Sequence, residues 1–354
     1  MGILVPIAEA LNYLFFSILA GHTALLFVPQ AYKPKISVPK PVLLLSTLGI
    51  ILCSLAPSLR AASYFSDGSF LETLLTVIST FTIGKSWLVI GFAATFFWMT
   101  IYVEGNRFLK LFWLLILVSA AGWASHVASL DFKWGFPLHS VHFLAVILWT
   151  GIVILAGWFS SEPGSWQRFL RWFTPFAAAS LVLIGLSGFL LMTFVINKGQ
   201  YLHSWALPYG QILLLKHISI IPVLLFAFMN GILARKLAVS DFNPLPWLKM
   251  EGLGIFIIFS FTAILGTLSP PHESALINSV PPWITRVTGD TPGFPLTVSW
   301  DLSLSGILLG AMAILFAALV LISFLKRDKP LIAFMFGLGL IVSTYLALMF
   351  NIQL

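Results

Sequence analysis

The sequence predicts an all-α, polytopic transmembrane helix bundle of about ten spans, with both termini outside. Three observations predict it. Hydrophobic residues make up 59% of the 354-residue chain and charged residues only 9%, against roughly 25% charged in soluble domains. Apolar runs of about twenty residues, each able to cross roughly 30 Å of hydrocarbon, recur from end to end. The basic residues fall almost wholly in the connections between these runs, where they sort by side.

Ten runs fit, at about 4–28, 41–59, 84–103, 108–129, 138–159, 170–196, 209–234, 248–269, 302–325 and 330–350. The first begins without a basic leader segment or a cleavage pattern, so it is read as retained. FLETLLTVISTF at 70–81 is too short and too polar at its edges to cross, and reads as an interfacial or re-entrant helix. The loop carrying Asp131, Lys133, Gly135 and Pro137 is rich in turn residues and separates the fourth span from the fifth. Pro175 places a kink or an interfacial first turn in the sixth. The Pro-rich stretch 270–301, with His272, Glu273, Trp283, Arg286 and Asp290, is either a lid over the outer side or a connector.

Thirteen Lys and Arg residues lie on one set of connections and five on the other, with Lys216 inside the seventh span. That asymmetry puts the first set in the cytoplasm and predicts a multi-pass membrane protein. The net charge of +7 is therefore topological and implies no nucleic-acid partner; the partner surface is the lipid bilayer. The single Cys53 lies in an apolar run, which excludes a disulfide framework and a cysteine metal cluster. No Walker loop, dinucleotide fingerprint, nucleophile elbow or H-E-x-x-H is present, so the chain is not read as an enzyme or an ATP-driven pump.

With this topology, six of the seven histidines fall in the outer half. His126 ends the fourth span, and His139 and His142, one helical turn apart, begin the fifth. Imidazole suits copper and zinc. These three, with Asp131 as a further or supporting ligand, His217 in the seventh span and the thioether of Met192 in the sixth, make a candidate metal site. Histidines at a membrane interface also serve without any metal. Lys216 lies two turns inside its span, where it either faces a wet cavity or snorkels outward. His22, Asn230 and Glu251 are polar residues in the cytoplasmic half, candidates for a relay or for helix–helix hydrogen bonding.

Five stretches together carry a resemblance. They are the SH of ASHVAS, HSVHFLAVILWTG, RFLRWFTPFAAASLVLIGLSGF, PYGQILLLKHISIIPVLLFAFMNGIL and EGLGIFIIFSFTAILGTLSPP. In this order and spacing they resemble the central helices of the copper resistance protein D (CopD) family, over roughly 108–271, which implies a multi-pass protein of the bacterial cytoplasmic (inner) membrane. The resemblance divides the chain into spans 1–3 (1–107), a core (108–271) and a loop with spans 9 and 10 (272–354). It implies movement of a copper ion, Cu(I) or Cu(II), across the membrane toward the cytoplasm, in copper homeostasis. It also implies a separate extracytoplasmic copper-binding donor protein, since the small periplasmic domain often fused to family members is not found in this sequence. The positions carried over by motif are His126, His142, Tyr209, Lys216, Asn230 and Glu251. The expectation is a copper permease with an outer entry site. The alternative is a membrane redox protein with a bis-histidine haem b or a quinone site.

Overall fold

The computed structural model describes residues 2–161, 166–196, 199–236, 243–269, 280–281, 283–284 and 298–353. Most of stretch 270–301, with His272, Glu273, Arg286 and Asp290, lies outside them. The described chain is an all-α polytopic protein, with one two-stranded ribbon, and it packs as two compact units, Met1–Phe194 and Val195–Leu354.

The first unit contains α1 (Leu4–Leu25), α2 (Lys40–Cys53), α3 (Ala56–Phe65), α4 (Phe70–Thr80), α5 (Thr82–Tyr102), α6 (Arg107–Trp123), α7 (His126–Leu130), α8 (Phe132–Trp158) and α9 (Trp166–Val195), whose last residue falls past the boundary. The short helix expected near 70–81 is α4. Ser69 caps it by accepting from the Glu72 backbone N–H, the Ser-x-x-Glu pattern that starts a helix.

The centre of this unit is α1 against α8. Gly21 and Gly151 let the two backbones touch: a side chain at Gly21 would run into the Gly151 backbone, and one at Gly151 into the Ser17 carbonyl. Just beyond, the Ser17 and Thr150 hydroxyls meet at 2.9 Å. Phe143 takes Phe16 and Tyr13 edge-on at 5.0 and 6.1 Å. Contacts 13 to 143, 17 to 150 and 21 to 151 rise together, so α1 and α8 run parallel.

That direction bears on the number of spans. Among the described residues nine helices are long and apolar enough to cross a membrane. The expected fourth span is α6, with 17 residues, or about 25 Å. Parallel α1 and α8 need an odd number of crossings between them. The α2–α3 segment, α5 and α6 supply three, since α4 at 11 residues is too short. A short span of this kind is accommodated by local thinning of the bilayer.

Two expectations about the connection to α8 are corrected. The fourth span stops at Trp123 rather than continuing to 129, and 126–130 form the separate turn α7. The loop expected at 131–137 is helical. Asp131 is the N-cap of α8 and accepts from the Trp134 backbone N–H at 3.2 Å. Gly135 is a packing glycine, because a side chain there would strike the Val127 carbonyl of α7. Pro137 falls in the second turn of α8, and Pro175 lies within the continuous α9.

The second unit contains α10 (Tyr201–Ser204), α11 (Pro208–Phe228) continuing through a π-helical turn (Met229–Leu233) into α12 (Ala234–Lys236), then α13 (Leu245–Leu265), α14 (Leu304–Leu325) and α15 (Pro330–Met349). Strands β1 (Ser299–Trp300) and β2 (Ile352–Gln353) pair antiparallel. Trp205, Leu214, Ile218, Val298, Ile341, Met349 and Ile352 form its core. Gln211, buried in that core, donates to the Trp205 carbonyl and to Met349 Sδ and accepts from the Tyr345 hydroxyl. Asn351 accepts from the Ser303 backbone N–H at 2.8 Å, and the Ser303 hydroxyl caps α14.

Candidate functional site

In the first unit His139 and His142 share a face of α8, and both are half-buried. His139 lies over Phe143, with ring centroids 6.3 Å apart. His142 Nδ1 meets the Ser187 hydroxyl of α9 at 2.9 Å. The same hydroxyl also lies 2.5 Å from the Leu183 carbonyl one turn back; when it donates there it accepts from His142 Nδ1–H, which leaves the ring lone pair on Nε2. A ligand-type imidazole is set up in this way, by a hydrogen bond to its other nitrogen. Gly188 leaves room for the ring, since a side-chain carbon there would sit 3.3 Å from His142 Cε1. Met192 is one turn further along α9 from Gly188, on the same face. This unit therefore offers two imidazoles on α8 beside a thioether-bearing face of α9.

His126 does not join them in a group. It is the first residue of α7, capped by Ser125, and is exposed. Asp131 is engaged in capping α8. Among the described residues no three His, Cys, Asp or Glu side chains come together as a metal-holding group.

At the other end of α1, His22 is half-buried and within electrostatic reach of Lys110 and Lys33. Lys33, in the connection after α1, donates to the Leu25 carbonyl, and burial holds its ammonium below the usual lysine range.

In the second unit His217 Nδ1 and the Tyr201 hydroxyl lie 2.8 Å apart. Burial raises the Tyr201 phenol above its ordinary range. Lys216 and Tyr209 are half-buried on α11. His203 Nδ1 accepts from the Val298 backbone N–H at 2.9 Å and so anchors the approach to β1.

Deeper along α11 lies the most fully buried polar pair among the predicted residues. Asn230 Nδ2 donates to Glu251 Oε2 at 2.7 Å, with the two side chains 4% and 2% exposed. Asn230 belongs to the π-helical turn, where an extra residue re-aims the side chains of α11 toward α13. Its Oδ1 is buried and has no hydrogen-bond partner. A carboxyl and an unmet carbonyl-type oxygen thus lie together inside apolar helices, both oxygen acceptors able to face a cation.

Sequence reasoning missed Ser187 and Gly188, which orient and admit His142. They stand in LIGLSGF, where small residues read simply as helix packing. A cavity of about 470 Å³, lined by Val89, Phe112, Ser119, Trp123, Phe132 and Phe136 among others, contains none of the predicted site residues. The chain matches no family model, no curated protein and no solved structure.

Proposed function

We propose that this protein is a copper-handling permease of the bacterial inner membrane, similar in kind to the copper resistance protein D family. The observation that carries the proposal is the Asn230–Glu251 pair. Intramembrane carboxyls are costly, and they mark ion pathways when they face a bundle interior. Both residues are positions that the resemblance selects, and they meet across two helices at a π-helical turn.

The first unit adds capture chemistry suited to copper. Its soft thioether and imidazole donors fit Cu(I), and the hydrogen bond between His142 and Ser187 holds the ring in place. His126 and His217 contribute as approach residues rather than as members of one cluster. A separate donor protein outside the membrane delivers the ion, and Glu251 accepts it within the second unit.

The test is copper-dependent accumulation in cells expressing the wild-type chain or Glu251→Gln at equal membrane levels, with a visible spectrum of the purified protein. The expected result is accumulation that falls to the level of non-expressing cells in the variant, and no Soret band. Wild-type accumulation by the variant would overturn the proposal, and a Soret band would replace it with the haem alternative.

A further inference from the structure

The cavity of about 470 Å³ is a groove along α6, walled by α5 and α8. Its size falls within the roughly 300–1,000 Å³ of small-molecule sites. Both walls are fixed. The Ser86 hydroxyl of α5 donates to the Ala120 carbonyl at 2.6 Å. Gly122 lets α8 come in close, since a side chain there would strike the Ser140 hydroxyl. From Phe112 to Trp123 the lining follows about 16 Å of α6, half of a hydrocarbon core of roughly 30 Å. Phe112, Leu115 and Phe132 on its walls are exposed, so in a spanning chain the groove opens sideways to lipid.

The groove changes character along its length. Phe112, Leu115 and Ile116 make its inner part wholly apolar. Ser119 and Trp123 come next, one turn apart on α6, and neither the hydroxyl nor the indole N–H has a hydrogen-bond partner among the described residues. Hydroxyls in the neighbouring α8 donate to the carbonyl one turn back, as Ser140 and Thr150 do; that of Ser119 does not. Two cations stand at the outer end. Lys85 is one turn before Val89 on the lining face of α5, and Lys133 lies in the first turn of α8 between the lining residues Phe132 and Phe136. Both are exposed, and neither is in an ion pair. The Lys133 ammonium lies over the Trp134 ring at 5.6 Å. Asp131, the carboxylate nearest to it in sequence, is turned to the start of α8 and accepts from the Trp134 backbone N–H.

We propose that this groove holds one anionic phospholipid. An acyl chain lies along the Phe112–Ile116 part, the ester oxygens accept from Ser119 and Trp123, and the phosphate is held by Lys85 and Lys133. Apolar wall, hydrogen-bond donors and cations follow one another in the order of chain, ester and headgroup. A groove half a bilayer deep fits the lipid of a single leaflet, the outer one on the topology predicted by the basic-residue count.

The test uses the full chain, delipidated in detergent, with phosphatidylglycerol or phosphatidylcholine added singly and bound lipid counted by native mass spectrometry. The wild type is expected to retain one phosphatidylglycerol, about twentyfold more tightly than phosphatidylcholine. Lys85→Gln and Lys133→Gln each weaken that preference about fivefold, and together they remove it. Ser119→Ala weakens both lipids alike, by about fivefold. Ser119→Leu fills the groove from an exposed position and abolishes retention of either lipid. Lys326→Gln, an exposed lysine of the second unit, changes nothing. Equal retention of the two lipids by the wild type would overturn the proposal. So would a preference that survives the double lysine variant, or phosphatidylglycerol retained at the wild-type level by Ser119→Leu.

Discussion

The end of α1 and the contact between α11 and α13 both place a polar side chain among apolar helices, and they treat charge in opposite ways. His22 has Lys110 and Lys33 as its electrostatic neighbours. Glu251 has an amide, Asn230, whose own oxygen is left unmet. Two like charges about 5 Å apart repel by roughly 3 kcal/mol at an effective dielectric of about 20. The lysine charges near His22 oppose a cation there, whereas the proposed function puts the cation at Glu251. Of the polar residues expected to form an inner relay, the proposal therefore keeps Asn230 and Glu251 and leaves out His22.

That contrast can be broken at several points. The largest effect is expected from the double variant His139→Ala/His142→Ala, which leaves Met192 alone at the capture site and should remove the tight Cu(I) binding of the purified protein, measured by competition with a chelating dye. Ser187→Ala keeps both imidazoles but removes the acceptor that fixes the His142 tautomer. Copper affinity should fall about tenfold or more in the same assay, and an unchanged affinity would show that His142 is no ligand. Asn230→Ala takes the donor from a buried carboxyl and should cost about 1–3 kcal/mol of stability in a denaturant or thermal assay in detergent. Ser17→Ala loses a single interhelical hydroxyl contact, worth about 0.6 kcal/mol, and should leave copper binding as it was. A large loss of copper binding there would tie capture to the α1–α8 contact.

The class of fold was legible because hydropathy and length decide it almost alone. Among the described residues nine long apolar helices follow the expected runs, and α4 falls where a non-crossing helix was expected. The stretch 131–137 was misread for a physical reason. Asp, Gly and Pro are turn residues by local preference, but here Asp131 caps a helix, Gly135 makes room for α7, and Pro137 sits early enough in α8 to be tolerated. The polar residues of the site stood out from their apolar surroundings. Their partners did not. The meeting of Asn230 with Glu251 depends on a π-helical turn, and the meeting of His142 with Ser187 on which faces of α8 and α9 touch. Neither is written in spacing along one helix.

The central claim is that a metal cation is accepted at Glu251 and not at His22. The most direct measurement is the initial rate of copper uptake into proteoliposomes containing the wild-type protein, Glu251→Gln or His22→Ala, each reconstituted at equal density. Uptake should fall to the rate of protein-free liposomes for Glu251→Gln and stay within about twofold of wild type for His22→Ala. Wild-type uptake by Glu251→Gln, or loss of uptake in His22→Ala alone, would contradict it.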